Sequence, residues 1–234
     1  MTLTVSNLRG WYGAAQILFG IDLGVADGEV VALLGRNGAG KSTTFRAIAG
    51  LLARRDGQVT FGGTDVSREP VYAIARRGLA YVPEDRRIFA DLTVEENLEV
   101  GRQPQRAGVP HWTPERLYAL FPNLGTMRKR LGGAMSGGEQ QMLTIARSLM
   151  GNPSLVLLDE PSEGLAPKIV EDMAHAIRAL KAEGLSILVS EQNLHFARLI
   201  SDRAVIIERG QVRFAGTIAE IDANAEICEA FLTV

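Results

Sequence analysis

The chain has 234 residues, 46% of them hydrophobic and 22% charged, which is enough apolar mass for one sizeable core and the length of one domain with a small appendage. A net charge of −2 offers no basic excess for nucleic acid, and the single cysteine, Cys228, excludes an internal disulfide and suits a reducing compartment. No apolar run approaches the roughly 18 residues that a membrane span needs, and residues 1–8 lack the basic start and apolar block of a secretory signal. Any service to a membrane is therefore expected from the cytosolic side, through a partner.

Residues 5–8, 17–25 and 58–61 carry alternating and β-branched side chains between glycine-containing turns, and predict antiparallel strands. Residues 29–34 form a mostly apolar run that feeds the loop Gly35-Arg36-Asn37-Gly38-Ala39-Gly40-Lys41-Ser42, and residues 42–49 read as a helix. Strand, glycine-rich loop and helix form the setting in which successive backbone N–H groups turn inward on a phosphate chain and the helix adds its positive end. Lys41 then supplies a point charge to the outer phosphates, and the Ser42 hydroxyl suits a Mg²⁺ ligand. A glycine-rich turn beside a surface lysine is the plainer reading, and the setting argues against it.

Residues 79–82 predict another short strand, and the pattern turns helical over 84–150. Thr93 with Glu96 makes a capping box, and Thr113 followed by Pro114 places a cap and then a proline at the first helical position. Ser136-Gly137-Gly138-Glu139 is a second capping box, after which Met142, Ile145, Ala146 and Leu149 recur at helical spacing. A serine cap, two glycines for close approach and a helix N-terminus also make an anion grip suited to a γ-phosphate. One chain already has a loop for the phosphates, so this second grip is expected to reach a nucleotide held by another copy. Plain helix capping by Ser136 is compatible with that role.

Residues 155–158 and 186–189 are short, continuous apolar runs that read as parallel strands covered on both faces. Between them Ile169, Met173, Ala176, Ile177 and Leu180 mark an amphipathic helix opening at Pro167. Asp159 and Glu160 follow the first run. An acid at a strand's C-terminal edge beside a phosphate loop can hold Mg²⁺, and the next acid can polarise the attacking water. We assign Asp159 to the metal and Glu160 to the water; an ordinary acidic strand end before Pro161 is the alternative. Residues 203–208, the turn Arg209-Gly210 and residues 211–215 predict a terminal hairpin. With no repeat or long linker, the expectation is a single α/β domain over 1–234, its core from 1–83 and 151–234 and a helical insertion over 84–150.

These motifs together resemble the nucleotide-binding subunit of ATP-binding cassette (ABC) transporters over nearly the whole chain. The resemblance implies a P-loop NTPase core of ABC ATPase type, with an antiparallel β subdomain and an inserted α-helical subdomain. It implies that Gly35, Arg36, Asn37, Gly38, Ala39, Gly40, Lys41, Ser42 and Thr43 bind ATP, that Ser42 and Asp159 hold Mg²⁺, and that Glu160 is the catalytic acid. Ser136, Gly137, Gly138 and Glu139 would be the signature that contacts the partner protomer's ATP, although the family more often has Leu at the position of Met135 and Gln after the glycines. Tyr12 falls where the family stacks an aromatic ring on adenine, with Trp11 as the nearby competitor.

Three positions depart from the general pattern. Glu84 stands where a glutamine usually contacts Mg²⁺ and the attacking water. Gln192 stands where a histidine usually contacts the γ-phosphate, and His195 lies three residues too late; a catalytic contact is expected of Gln192. Ala166 replaces the usual aspartate of the loop after the catalytic acid. Residues 82–89, 93–98, 162–167 and 190–193 as a set resemble the shorter ATPase subunit of high-affinity branched-chain amino acid importers. That likeness implies a homodimer, or a heterodimer with a paralogous ATPase subunit, on two membrane permease subunits, and a periplasmic binding protein served indirectly. The chain would sit at the cytoplasmic face of the inner membrane and bind no nucleic acid. Residues 84–97 would contact the permease; Arg86 and Arg87 read otherwise as a solvated basic corner. Leucine, isoleucine and valine are the expected cargo, with urea, short amides or aromatic acids as alternatives. A soluble cassette ATPase of repair or translation is the second reading, disfavoured by the single cassette and short insertion. A kinase or GTPase leaves residues 136–140 unexplained.

Overall fold

The computed structural model describes residues 2–224, so Met1 and Cys228 lie outside the described residues. In chain order the elements are β1 (Leu3–Tyr12), β2 (Ala15–Val25), β3 (Val30–Leu34), α1 (Lys41–Ile48), β4 (Arg54–Phe61), β5 (Thr64–Asp65), α2 (Val71–Arg76) and β6 (Leu79–Val82). There follow α3 (Val94–Gly101), α4 (Pro114–Leu120), α5 (Pro122–Thr126), a 3₁₀ turn over Gly132–Ala134, and α6 (Gly137–Leu149). The chain then forms β7 (Leu155–Asp159), α7 (Pro167–Ala182), β8 (Ser186–Glu191), α8 (Leu194–Ile200), β9 (Arg203–Glu208), β10 (Gln211–Thr217) and α9 (Ile218–Asp222).

An antiparallel sheet in the order β2-β1-β4-β5 faces a six-stranded sheet in the order β10-β9-β3-β8-β7-β6. In the larger sheet β9, β3, β8, β7 and β6 run parallel, and β10 adds antiparallel at one edge. Every residue of β3, β7 and β8 is buried because both faces are covered. The two-residue period sorts their side chains between two cores. Val30, Ala32, Leu34, Val156, Leu158 and Val189 join a cluster with Leu143 of α6, Ile177 of α7 and Phe196 of α8. Val31, Leu33, Leu155, Leu157 and Leu188 join the opposite cluster, with Phe45 of α1 and with Leu3, Val5 and Ile21 of the antiparallel sheet. The helices over residues 94–149 send Leu98, Leu117 and Leu124 into the first cluster.

Strand register decides where the site forms. Leu34 lies opposite both Glu191 and Ile206, and Asp159 lies opposite Ser190. The C-terminal ends of β3, β7 and β8 are therefore side by side, and the loops that leave them emerge at one edge, where open α/β sheets bind ligands.

Differences from the sequence expectations are local. The strand expected from residue 29 opens at Val30, because the Glu29 carboxylate accepts the Ala26 N–H (2.7 Å) and pairs with Arg203 (3.1 Å). The helix expected over 42–49 spans Lys41–Ile48, with Ala49 as its C-cap. Helices α2, α8 and α9 lie outside the predicted elements. The terminal hairpin forms as β9 and β10, and β9 also joins the parallel sheet beside β3.

Asn97 of α3 pins the segment before its own helix. Its fully buried amide accepts the Phe89 N–H (3.0 Å) and shares its donors among the carbonyls of Phe89 (3.0 Å), Leu92 (3.1 Å) and Thr93 (2.9 Å). Asn97→Ala strands several buried backbone groups and is expected to cost about 2–4 kcal/mol. Urea unfolding measures this, and a loss under about 0.5 kcal/mol, the range of ordinary surface changes, would show that the segment is held by other contacts.

Candidate functional site

The glycine loop leaves β3 at Gly35 and enters α1 at Lys41. Gly40 is the N-cap of α1 with φ of 108°, a left-handed conformation suited to glycine, and no side chain caps the helix. The first N–H groups of α1 are thus left for a ligand. They border a pocket of about 310 Å³ lined by Asn37, Gly38, Gly40, Lys41, Ser42 and Thr43 from the loop and helix, by Tyr12 and Ile17, and by Glu84 and Glu160. Gly35, Arg36 and Ala39 shape the loop from outside that lining. The Lys41 ammonium donates to the carbonyls of Gly35 (2.6 Å) and Arg36 (3.2 Å), and the Ala39 carbonyl accepts the Gly210 N–H (2.8 Å) from the β9–β10 turn.

The two acids meet this loop directly. Asp159 closes β7; its Oδ1 accepts from Ser42 Oγ (3.0 Å) and Ser190 Oγ (2.7 Å), and its Oδ2 accepts from the Tyr81 hydroxyl (2.9 Å). Burial, with the Asp159 charge and hydrogen bond adding to it, pushes the Tyr81 hydroxyl well above its ordinary value, so it stays a donor. Glu160 turns back with φ of 49°, and its N–H donates to both the carbonyl (3.2 Å) and the hydroxyl (3.0 Å) of Ser190. Its carboxylate pairs with Lys41 (2.9 Å), the two side chains 5% and 4% exposed, and accepts from Gln192 Nε2 (3.2 Å). Sequence reasoning missed Tyr81 and Ser190. Both sit next to last in the strands that flank β7, and their contact with Asp159 follows from strand pairing that neither segment shows alone.

The donor set fits a small hard cation. Ser42 and Asp159 present hydroxyl and carboxylate oxygens 3.0 Å apart at the loop mouth, the ligand type Mg²⁺ takes. Among the described residues no group of three or more His, Cys, Asp or Glu side chains gathers, so phosphate oxygens and water would complete such a shell. Glu84 lines the same pocket, and the Glu163 carboxyl is raised by burial first and then by the charges of Glu160 and Glu84. Of the two aromatic candidates, Tyr12 lines the pocket mouth, 45% exposed, with its hydroxyl accepting from Arg46 (3.1 Å). Trp11 instead lies under the Arg54 guanidinium (4.8 Å).

Ser136 caps α6, with Glu139 Oε2 accepting the Ser136 N–H (2.7 Å) and Ser136 Oγ accepting the Glu139 N–H (3.4 Å). Gly137 and Gly138 allow close packing. A Cβ at Gly137 would come within 2.7 Å of the Arg86 guanidinium, and one at Gly138 within 2.8 Å of the Ile169 side chain. Arg86 is thus packed against the turn, and the Arg87 guanidinium pairs with Asp85 (2.9 Å). Ser136 is exposed, and none of residues 136–139 lines the glycine-loop pocket of its own chain.

Residues 18–163 match the family model of the ABC transporter. Over 230 residues the chain is 38% identical to the high-affinity branched-chain amino acid transport ATP-binding protein BraG of Pseudomonas aeruginosa, covering 98% of this chain and 99% of that protein. It is 34% identical over 233 residues to the lipopolysaccharide export system ATP-binding protein LptB of Escherichia coli, covering 99% and 97% of the two chains. A solved nucleotide-free ATP-binding cassette from an ABC transporter matches it with a TM-score of 0.82 at 26% identity, over 97% of each chain.

The buried Lys41–Glu160 contact generates a prediction for the nucleotide-free protein. Lys41→Met leaves a buried carboxylate unpaired and is expected to cost about 3–5 kcal/mol in urea unfolding. The double variant Lys41→Met/Glu160→Gln is expected to lose clearly less than the sum of the single losses. Strict additivity would show that the two side chains do not depend on each other.

Proposed function

The chain belongs to the ABC transporter family, has its ATP-binding cassette fold and hydrolyses ATP, and from that premise we propose how its residues divide the work. The backbone N–H groups of residues 35–43 and the Lys41 ammonium hold the phosphates, and Tyr12 stacks on adenine. Ser42 and Asp159 would hold Mg²⁺, whose charge would offset that of the phosphates, with Glu84 of the same pocket lining as a further oxygen ligand. Glu160 takes a proton from the attacking water. Gln192 orients Glu160 and donates to the γ-phosphate. The observation that carries this reading is the convergence of Lys41 on Glu160 and of Ser42 on Asp159 at the mouth of the loop. A phosphate oxygen can replace Glu160 at Lys41, so ligand entry and release of the catalytic acid become one exchange.

Two protomers pair head to tail, and residues 136–139 of each reach the nucleotide of the other. Support comes from the exposed Ser136 cap and its place outside its own chain's pocket. The permease contact is assigned to residues 84–97 and the adjoining groove of about 570 Å³, where Tyr72 and Phe89 are 62% and 46% exposed among Arg76, Arg87 and Arg147. Among the described residues no helix is long and apolar enough to cross a membrane, and we assign the chain to the cytoplasmic face of the membrane, held there by the permeases.

Branched-chain amino acids are the proposed cargo, imported with the help of an external binding protein. The 38% identity with BraG and the glutamate and glutamine at positions 84 and 192 support this. The 34% identity with LptB favours a second reading, in which the same engine drives export of a lipid-linked substrate.

Glu160→Gln keeps the size and shape of the side chain and removes the base. Turnover is expected to fall by about 10²–10⁴-fold with ATP still bound, and light scattering is expected to report a dimer at high ATP. Undiminished turnover would sink the assignment of the base, and a monomer at saturating ATP would sink the sandwich. For the cargo, a strain lacking this chain is expected to lose uptake of labelled leucine and to regain it with the wild-type chain but not with Glu160→Gln. Unchanged leucine uptake in that strain would favour the export reading.

A further inference from the structure

Glu160 and Gln192 stand on separate loops, one after β7 and one after β8. The β7–β8 ladder pairs Asp159 with Ser190 as its last rung, so regular pairing stops just before the two residues that must be aligned. Glu191 lies in that gap. It ends β8 and is 1% exposed; one carboxylate oxygen accepts the Ser162 N–H (3.1 Å) and the other the Asn193 N–H (3.4 Å). Ser162 belongs to the turn that follows Glu160, and Asn193 caps α8 directly after Gln192. A buried carboxylate is expensive to keep. Burial pushes the Glu191 carboxyl up to about 7, and the nearby Glu160 charge pushes the same way, while the hydrogen bonds from Ser162 and Asn193 hold it down. What the carboxylate adds beyond packing is the pair of hydrogen bonds that join the two segments.

We propose that Glu191 is a positioning residue for hydrolysis, its carboxylate strapping the loop of Glu160 to the segment of Gln192 and so holding the two side chains in register. The strap rests on the reading of Glu160 as the base. It also reaches further along the chain. The strapped loop runs through Ala166 into α7, whose Ile169 packs on Gly138 at the start of α6. A shift of the loop would therefore be felt at the serine-capped turn.

The test uses the full chain and two variants. Glu191→Gln is isosteric but presents an amide N–H₂ to one of the two N–H donors. It is expected to lower kcat about tenfold or more with KM for ATP within about threefold, because the loss is of alignment and not of nucleotide contacts. Hydrogen exchange in peptides covering 160–166 and 192–196 is expected to quicken about tenfold, the scale of one lost charge-assisted hydrogen bond, with β3 and α1 unchanged. Glu191→Asp keeps the charge on a shorter stem and is expected to recover part of both. Unchanged exchange in the two loops, or an equal loss of protection throughout the molecule, would overturn the strap. The exchange readout needs no turnover, so its failure is separate from the failure of Glu160→Gln to slow hydrolysis, which would instead remove the base that the strap serves.

Discussion

One buried ion pair, Lys41 with Glu160, organises the nucleotide pocket. Neither charge is tolerable in the interior alone, and the pair is supported on both sides. Lys41 is also held by the carbonyls of Gly35 and Arg36, and Glu160 by Gln192 and, through its N–H, by Ser190. These contacts tie the glycine loop to the end of β7. The parallel register of β3, β8 and β7 makes this contact geometrically available. Shifting either strand by one residue would turn Asp159 or its neighbours to the wrong face.

The same arrangement keeps the glycine loop and the serine-capped turn of one chain apart. The glycine loop and the acids lie at the C-terminal edge of the parallel strands, whereas the Ser136 turn lies beyond the 3₁₀ segment at the head of α6. Its capping box satisfies its own end of the helix, and Arg86 and Ile169 close the space beside the glycines. Ser136 itself stays exposed. A turn preformed in this way needs nothing further from its own chain, and on the proposed reading its exposed face meets the nucleotide of a second protomer.

Much of this was legible in the chain because the signals are local. The apolar runs that became β7 and β8, the caps at Thr93, Thr113 and Ser136, and the glycine loop each depend on a few adjacent residues. What was not legible depends on register between distant strands. Tyr81 and Ser190 contact Asp159 only because β6 and β8 flank β7, and nothing in residues 79–82 or 186–191 alone says so. The short helices α2 and α8 escaped for a different reason. Six or seven residues hold too few turns for a helical period to stand out, and most of their stability comes from packing. Tyr12 was preferred to Trp11 only through the resemblance, since adjacent strand residues differ in the face they take; in the structure Trp11 lies under the Arg54 guanidinium and Tyr12 lines the pocket.

The three departures from the family pattern share an electrostatic logic. Glu84 adds a carboxylate to a pocket that already contains Glu160, and Asp159 lies just behind Ser42. The Glu163 carboxyl is raised first by burial and then by the charges of Glu160 and Glu84. Lys41 is the cation at its centre, and it is already committed to Glu160. On the proposed reading the incoming phosphates displace Glu160 from Lys41, and a divalent ion bound with them would offset the remaining carboxylates. Gln192 suits such a site. It donates a hydrogen bond to Glu160 without carrying a charge of its own, and its contact does not vary with pH as an imidazole's would. Ala166 likewise carries no charge where the family usually has a carboxylate, and it leaves the start of α7 without a side-chain cap.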